Sequence, residues 1–176
     1  MKIQFEVIYD TIEVIGRPGY AVRGQPKYIV EDWSFYYDIQ ACYIPTVHLS
    51  CLVIGTIQLH INTDTNFCAF IDGYCPYGLW QPVSLIVPDY SPGLLKTRPD
   101  EELVVGVGYG IEYMVPPEIW FDTTNGWWCI GRKEHPAGSQ AVEFATGCVA
   151  VVVDEQLVSL WIRPENWLEL VKYFDK

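Results

Sequence analysis

The chain has 176 residues, 50% of them hydrophobic and 15% aromatic, and its 22 acidic against 11 basic side chains leave a formal net charge of -11. That length fills one hydrophobic core and is short for two, so a single globular domain over residues 1–176 is expected. A surface of this sign repels phosphate backbones and anionic lipid, which argues against nucleic-acid and membrane partners, and it speeds encounter with basic proteins.

The charge is unevenly spread. Residues 28–95 contain no Lys or Arg, yet they hold Glu31, Asp32, Asp38, Asp64, Asp72 and Asp89. Near the start, Glu6 and Asp10 interrupt the apolar run that an export signal needs, so this segment reads as a strand and the expected location is cytoplasmic. Trp33, Phe35, Tyr37, Ile39 and Ala41 alternate with polar residues, the pattern of a half-buried strand. In residues 47–61 the odd positions Val47, Leu49, Cys51, Val53, Ile57, Leu59 and Ile61 are apolar. The spacing predicts one long strand bent at Gly55, joined to residues 33–41 by a short link with Pro45 and paired with them as an antiparallel hairpin. Residues 39–63 are uncharged over the length of a membrane span, but their period of two and their polar content argue against a transmembrane helix. Asn62, Thr63, Asp64, Thr65 and Asn66 lack the glycine and closing glutamate of a calcium loop and read as an Asx-rich turn.

Residues 16–26, 72–82 and 88–99 are Pro- and Gly-rich connections. Residues 103–115 alternate again and predict a third long strand, ended by Pro116. Gly106, Gly108 and Gly110 on its other face leave room for bulky neighbours; no helix follows them, so they are not a dinucleotide fingerprint. In the last third, short apolar runs at 127–130, 141–145, 148–153 and 157–162 form a meander. The run 148–153 has no polar face and is expected at the centre of the sheet, covered on both sides. The tail offers the cover: Pro164 suits a helix start, Glu165 its first turn, and Trp167, Leu168, Leu170, Val171 and Phe174 form one apolar stripe. The expected class is therefore α+β, mainly β: a curved or partly closed antiparallel sheet with a C-terminal helix packed on it.

Six cysteines lack C-x-x-C spacing and sit among apolar residues, so they read as reduced core thiols. A metal site from Cys68, Cys75 and His60 is the rival, and it lacks the paired spacing of zinc ligands; no metal and no cofactor are expected. His48 and His60 on one straight strand would be too far apart for joint ligation. His135, in a charged link with Ser139, reads as solvated loop. Glu112 and Glu143 fall inside otherwise apolar stretches, and together with His60 they are the candidates for acid–base work. Tyr74, Tyr77, Trp80, Trp127 and Trp128 are the candidates for a binding face, because aromatic residues at strand ends suit protein interfaces.

Two functions compete. The first is a non-enzymatic acidic binding protein that engages or neutralises a basic protein partner, and in composition alone it resembles immunity and inhibitor proteins. The second is a small enzyme or small-molecule binder with a carboxylate and His60 in a cleft of the curved sheet. Association of the chain with itself is a third possibility, and it would show as an exposed apolar patch.

Overall fold

A computed structural model describes residues 1–9, 22–41, 48–114 and 117–174. Cys42, Pro45, Val47, Val115, Pro116, much of the 16–26 connection, and the side chains of Glu112 and Phe174 lie outside the described residues. The strands in chain order are β1 Ile3–Ile8, β2 Arg23–Ile29, β3 Ser34–Ala41, β4 Leu49–Ile54, β5 Ile57–Asn62, β6 Cys68–Tyr74, β7 Trp80–Pro82 and β8 Ser91–Pro92. They continue with β9 Leu94–Pro99, β10 Gly108–Gly110, β11 Ile119–Phe121, β12 Trp128–Gly131, β13 Gln140–Ala145, β14 Cys148–Val153 and β15 Gln156–Ile162. A helix, α1, spans Trp167–Phe174, and short 3-10 turns lie at Tyr77–Leu79 and Glu112–Met114.

The architecture is α+β and mainly β, as expected, and neither large sheet closes into a barrel. Among the described residues, one sheet has six strands in the order β10-β4-β5-β6-β3-β2 and the other seven in the order β7-β11-β12-β15-β14-β13-β8. A ribbon of β1 and β9 lies beside both, touching β6, β13, β14 and β15. Pairing is antiparallel except for the short edge strands β10, β7 and β8, which run parallel to their neighbours.

The two sheets share one core. Leu52, Ile54, Leu59, Ile61 and Ile71 from the first meet Phe144, Ala150, Val152, Leu160 and Ile162 from the second. Aromatic rings lock the layers together: Trp128 of β12 stacks on Tyr28 of β2 at 5.8 Å and meets Phe35 of β3 edge-on at 5.4 Å. Such pairs add about 0.5–1.5 kcal/mol each beyond the burial of their area. The meander is present and β14 lies between β13 and β15 with both faces buried, the placement its all-apolar sequence required.

Several expectations are corrected. Residues 47–61 are not one strand: β4 and β5 form a hairpin that turns at Gly55 (φ 65) and Thr56, with Ile54 opposite Ile57. The partners of β3 are β2 and β6, not the strand that follows it. Of residues 103–115, the described ones, 103–114, contribute only the three-residue β10 as strand; beside it the chain follows the β4 edge, where Val107 O accepts from Cys51 N at 3.3 Å and Ile111 N donates to Val53 O at 3.3 Å. Of the glycine face, Gly108 alone is tight, since a Cβ there would sit 3.0 Å from Val53 and 3.3 Å from the Cys51 sulfur. The helix does not cover β14. It packs against β2 through Leu170 and Val171 and leaves Leu168 exposed. The outer face of β14 is covered by residues 83–90, whose Val83, Leu85, Val87 and Tyr90 pack on Trp127, Val149, Val151 and Trp161.

Candidate functional site

The most unusual local structure is the turn between β2 and β3. Trp33 closes it in the left-handed region at φ 54, with its N–H donating to Val30 O at 3.3 Å and its carbonyl accepting from Cys75 N at 2.6 Å. A bulky non-glycine residue is rare in that region and is kept there only by its surroundings. The ring stays 38% exposed beside Glu31 and Asp32, which are both exposed.

Three tyrosines complete the face. Tyr74 ends β6 opposite Ser34 and is 51% exposed; its N–H donates to Thr56 O at 3.1 Å, and its carbonyl accepts from the Thr56 hydroxyl. Tyr36 lies two residues beyond Ser34, on the face of β3 opposite to the buried Phe35 and Tyr37, and is exposed. Tyr77, 47% exposed, stands on the 3-10 turn with its ring edge-on to Trp33 at 6.5 Å and to Trp80 at 5.0 Å. Tyr77 thus links the exposed indole to the core, because Trp80 itself packs on Phe121 and Trp128. Asp38 and Asp72 lie on the same sheet face as Tyr36 and Tyr74. Lys27 is already shared between Asp38 at 3.6 Å and Glu165 at 3.9 Å. Four exposed aromatic residues and the carboxylates of Glu31, Asp32, Asp38 and Asp72 thus lie on and beside β3 and β6.

Of the five aromatic candidates, the structure leaves Tyr74 and Tyr77 on this face. Trp80, Trp127 and Trp128 are buried and close the core, which corrects their assignment to a binding surface. Trp33 and Tyr36 were missed. A glutamate and an aspartate immediately before a tryptophan, in a turn between strands, was the available signal for Trp33.

Of the acid–base candidates, the Glu112 side chain lies outside the described residues, and no contact joins His60 to Glu143. His60 lies on β5 and Glu143 on β13, in different sheets. The Glu143 carboxylate accepts from Gly147 N at 2.9 Å and so serves the β13–β14 turn. His60 has a different carboxylate: its Nε2–H donates to Asp72 Oδ1 at 2.8 Å while the ring stacks on Phe70 at 4.5 Å. Cys51 is the cross-strand partner of His60, so the hairpin and β6 place a thiol, an imidazole and a carboxylate on adjacent strands. Burial and then the nearby Asp72 charge push the Cys51 thiol up, the opposite of what a thiolate nucleophile needs. The hairpin also moves His48 off the line assumed for it; its Nδ1–H donates to Asp64 at 2.8 Å. Among the described residues no three His, Cys, Asp or Glu side chains form a group that could hold a metal ion, so Cys68, Cys75 and His60 do not come together. The five described cysteines are free thiols, and four of them are buried.

His135 is not solvated loop. Its Nε2–H donates to Ile86 O at 2.7 Å and its ring lies 5.5 Å from that of Trp161, so it pins the 83–90 segment to the sheet. Among the described residues no helix is long and apolar enough to cross a membrane. Compared with known proteins, the chain matches no protein-family model and no curated protein sequence.

Proposed function

We propose that this is a non-enzymatic acidic binding protein that engages or neutralises a basic protein partner in the cytoplasm, as immunity and inhibitor proteins do, through the face formed by Trp33, Tyr36, Tyr74 and Tyr77. The observation that carries this reading is Trp33, an exposed indole on a left-handed backbone between an acidic pair and Tyr77. Left-handed backbone costs a non-glycine residue about 1–2 kcal/mol. The part of the ring that stays open, 38% of the residue, offers a partner a large rigid contact. Trp and Tyr supply such contacts with little loss of side-chain freedom, and an acidic rim steers a basic surface to them.

The test is a pull-down from native extract with wild type and with Trp33→Ala/Tyr77→Ala, at low and at moderate salt. Capture of one basic protein that weakens with salt and falls about tenfold or more in the variant is the expected result. Recovery that ignores both salt and the variant would remove this reading.

The His60–Asp72 pair favours a second reading, a small-molecule site on the same sheet face. An imidazole oriented by a carboxylate can move a proton or hold a polar ligand. A compound screen by thermal shift, repeated with His60→Ala, tests it; shifts that survive the substitution would place the ligand elsewhere.

A further inference from the structure

An open groove of about 1020 Å³ lies beside the β14–β15 hairpin, and none of Trp33, Tyr36, Tyr74 and Tyr77 lines it. The apolar side chains that reach its surface include the exposed Tyr113 and the half-buried Pro117 and Val158, over the buried Met114 and Leu157. Glu118, Glu134 and Asp154 also line it, against the single cation Arg132, which is turned toward Glu134 at 3.9 Å. Among the described residues the ion pairs engage neither Glu118 nor Asp154.

Asp154 is firmly placed. With Glu155 it makes the two-residue turn between the paired Val153 and Gln156, both turn residues having positive φ, 48 and 62. Glu155 cannot relax, because its carbonyl accepts from Phe5 N at 2.8 Å and its carboxylate meets Gln4 at 2.6 Å and Arg98 at 3.6 Å. Asp154, Gln156 and Tyr113 also line an adjoining cavity of about 400 Å³, so the two share a wall and make one trough. Lys2 lines the smaller part, which puts the cation-binding end in the larger one.

We propose that this trough binds an extended peptide segment in which Lys or Arg alternates with apolar residues, as a second contact site for the partner. The proposal rests on the reading of that partner as basic. An extended chain sends successive side chains to opposite sides, so its apolar residues can cover Tyr113, Pro117 and Val158 while its cations reach Asp154 and Glu118. A small polyamine would satisfy the carboxylates and leave the apolar lining wet, and a nucleotide would be repelled.

The probe is a fluorescein-labelled, unstructured peptide alternating lysine with leucine, followed by fluorescence anisotropy at low and physiological ionic strength. The groove variant is Asp154→Asn with Glu118→Gln; asparagine tolerates the left-handed backbone at least as well as aspartate, and Glu118 is exposed, so the fold should persist. The control is Glu101→Gln with Glu102→Gln, which removes the same charge from another exposed site. Saturable binding that weakens about fivefold or more in the groove variant and less than about twofold in the control is the expected result. Equal weakening in both, absence of saturable binding, or equal affinity for spermidine overturns the proposal. Retained capture of a basic protein alongside failed peptide binding would sink this site and leave the aromatic-face reading standing; peptide binding without partner capture would do the reverse.

Discussion

Asp122 is 2% exposed, and the hydrogen bonds that converge on its carboxylate come from Leu85 N at 2.7 Å, Thr124 N at 2.8 Å, Thr124 Oγ1 at 2.6 Å and Asn125 Nδ2 at 3.0 Å. Burial alone pushes its carboxyl up, but these donors outweigh burial and hold it below the ordinary range. Because the folded state lowers this pKa, the stabilisation is present above the unfolded value of about 3.9 and is lost as pH falls through the folded one. Asp122→Asn keeps the shape but turns one acceptor into a donor facing other donors, at an expected cost of about 1–3 kcal/mol. Urea melts of both proteins should show that gap at neutral pH and its narrowing below about pH 4; a gap independent of pH would mean that the cost is steric. Legibility in the sequence depends on the reach of such bonds. The Asx turn was readable because Asn62 Oδ1 accepts from Asp64 N and Thr65 N, two and three residues away. Asp122 was not, since the donor that matters most to the fold, Leu85 N, lies 37 residues upstream. The aromatic residues divide in the same way: Tyr74 and Trp80 look alike in sequence, and only the ring stack around Trp128 decides which is buried.

At the scale of elements, the β4–β5 hairpin explains the main misreading. In β4 the buried residues are the even-numbered Ser50, Leu52 and Ile54, and in β5 they are the odd-numbered Ile57, Leu59 and Ile61 together with Asn62 at the strand end. The parity flips at Gly55 and Thr56, but Leu49, Cys51 and Val53 are apolar too, so both parities of β4 look like a core face and the flip is hidden. The stretch 103–115 failed for the opposite reason: its alternation is good, yet Val104, Val105 and Val107 remain exposed although Gly106 N donates to Leu49 O and Val107 O accepts from Cys51 N, so bonding to the β4 edge does not bury their side chains. In contrast, 148–153 was read correctly because a run with no polar face fits only a position with sheet on both edges and cover on both faces. Gly73 is where the hairpin meets β6: at φ 125, a Cβ would stand 2.5 Å from Thr56 O and 2.9 Å from the Ile57 Cα. Gly106, at φ 77, would meet nothing within 4 Å. Gly73→Ala should therefore cost roughly 2–4 kcal/mol, through both backbone strain and collision, and Gly106→Ala about 1 kcal/mol, through strain alone. Denaturant melts of the two variants check the ordering, and equal costs would mean that the sheet yields at Gly73.

The whole molecule carries twice as many acidic as basic side chains, 22 against 11, and the structure uses much of the basic set internally. Lys27, Arg98 and Arg132 are engaged by carboxylates, while Lys96, Lys133 and Arg163 lie over the rings of Phe67, Trp120 and Trp167. Cations placed on rings keep their charge but form no short ion pair, and with a net charge of -11 the carboxylates repel one another across the surface, which opposes the compact state. Added salt acts on two opposing quantities. It weakens exposed pairs such as Arg98–Glu6, worth about 0–1 kcal/mol each, and it screens the more numerous repulsions once the Debye length falls well below about 10 Å. With the repulsions in excess, stability should rise on going from low salt to about 0.5 M NaCl. At about 2–4 °C per kcal/mol for a chain of this size, the melting temperature should climb by about 2–6 °C. A fall in calorimetric melting temperature would show that the ion pairs outweigh the repulsion. A basic partner would supply the same screening locally, and it binds only the folded chain, so it should raise the melting temperature most at low salt, where the field it relieves is strongest.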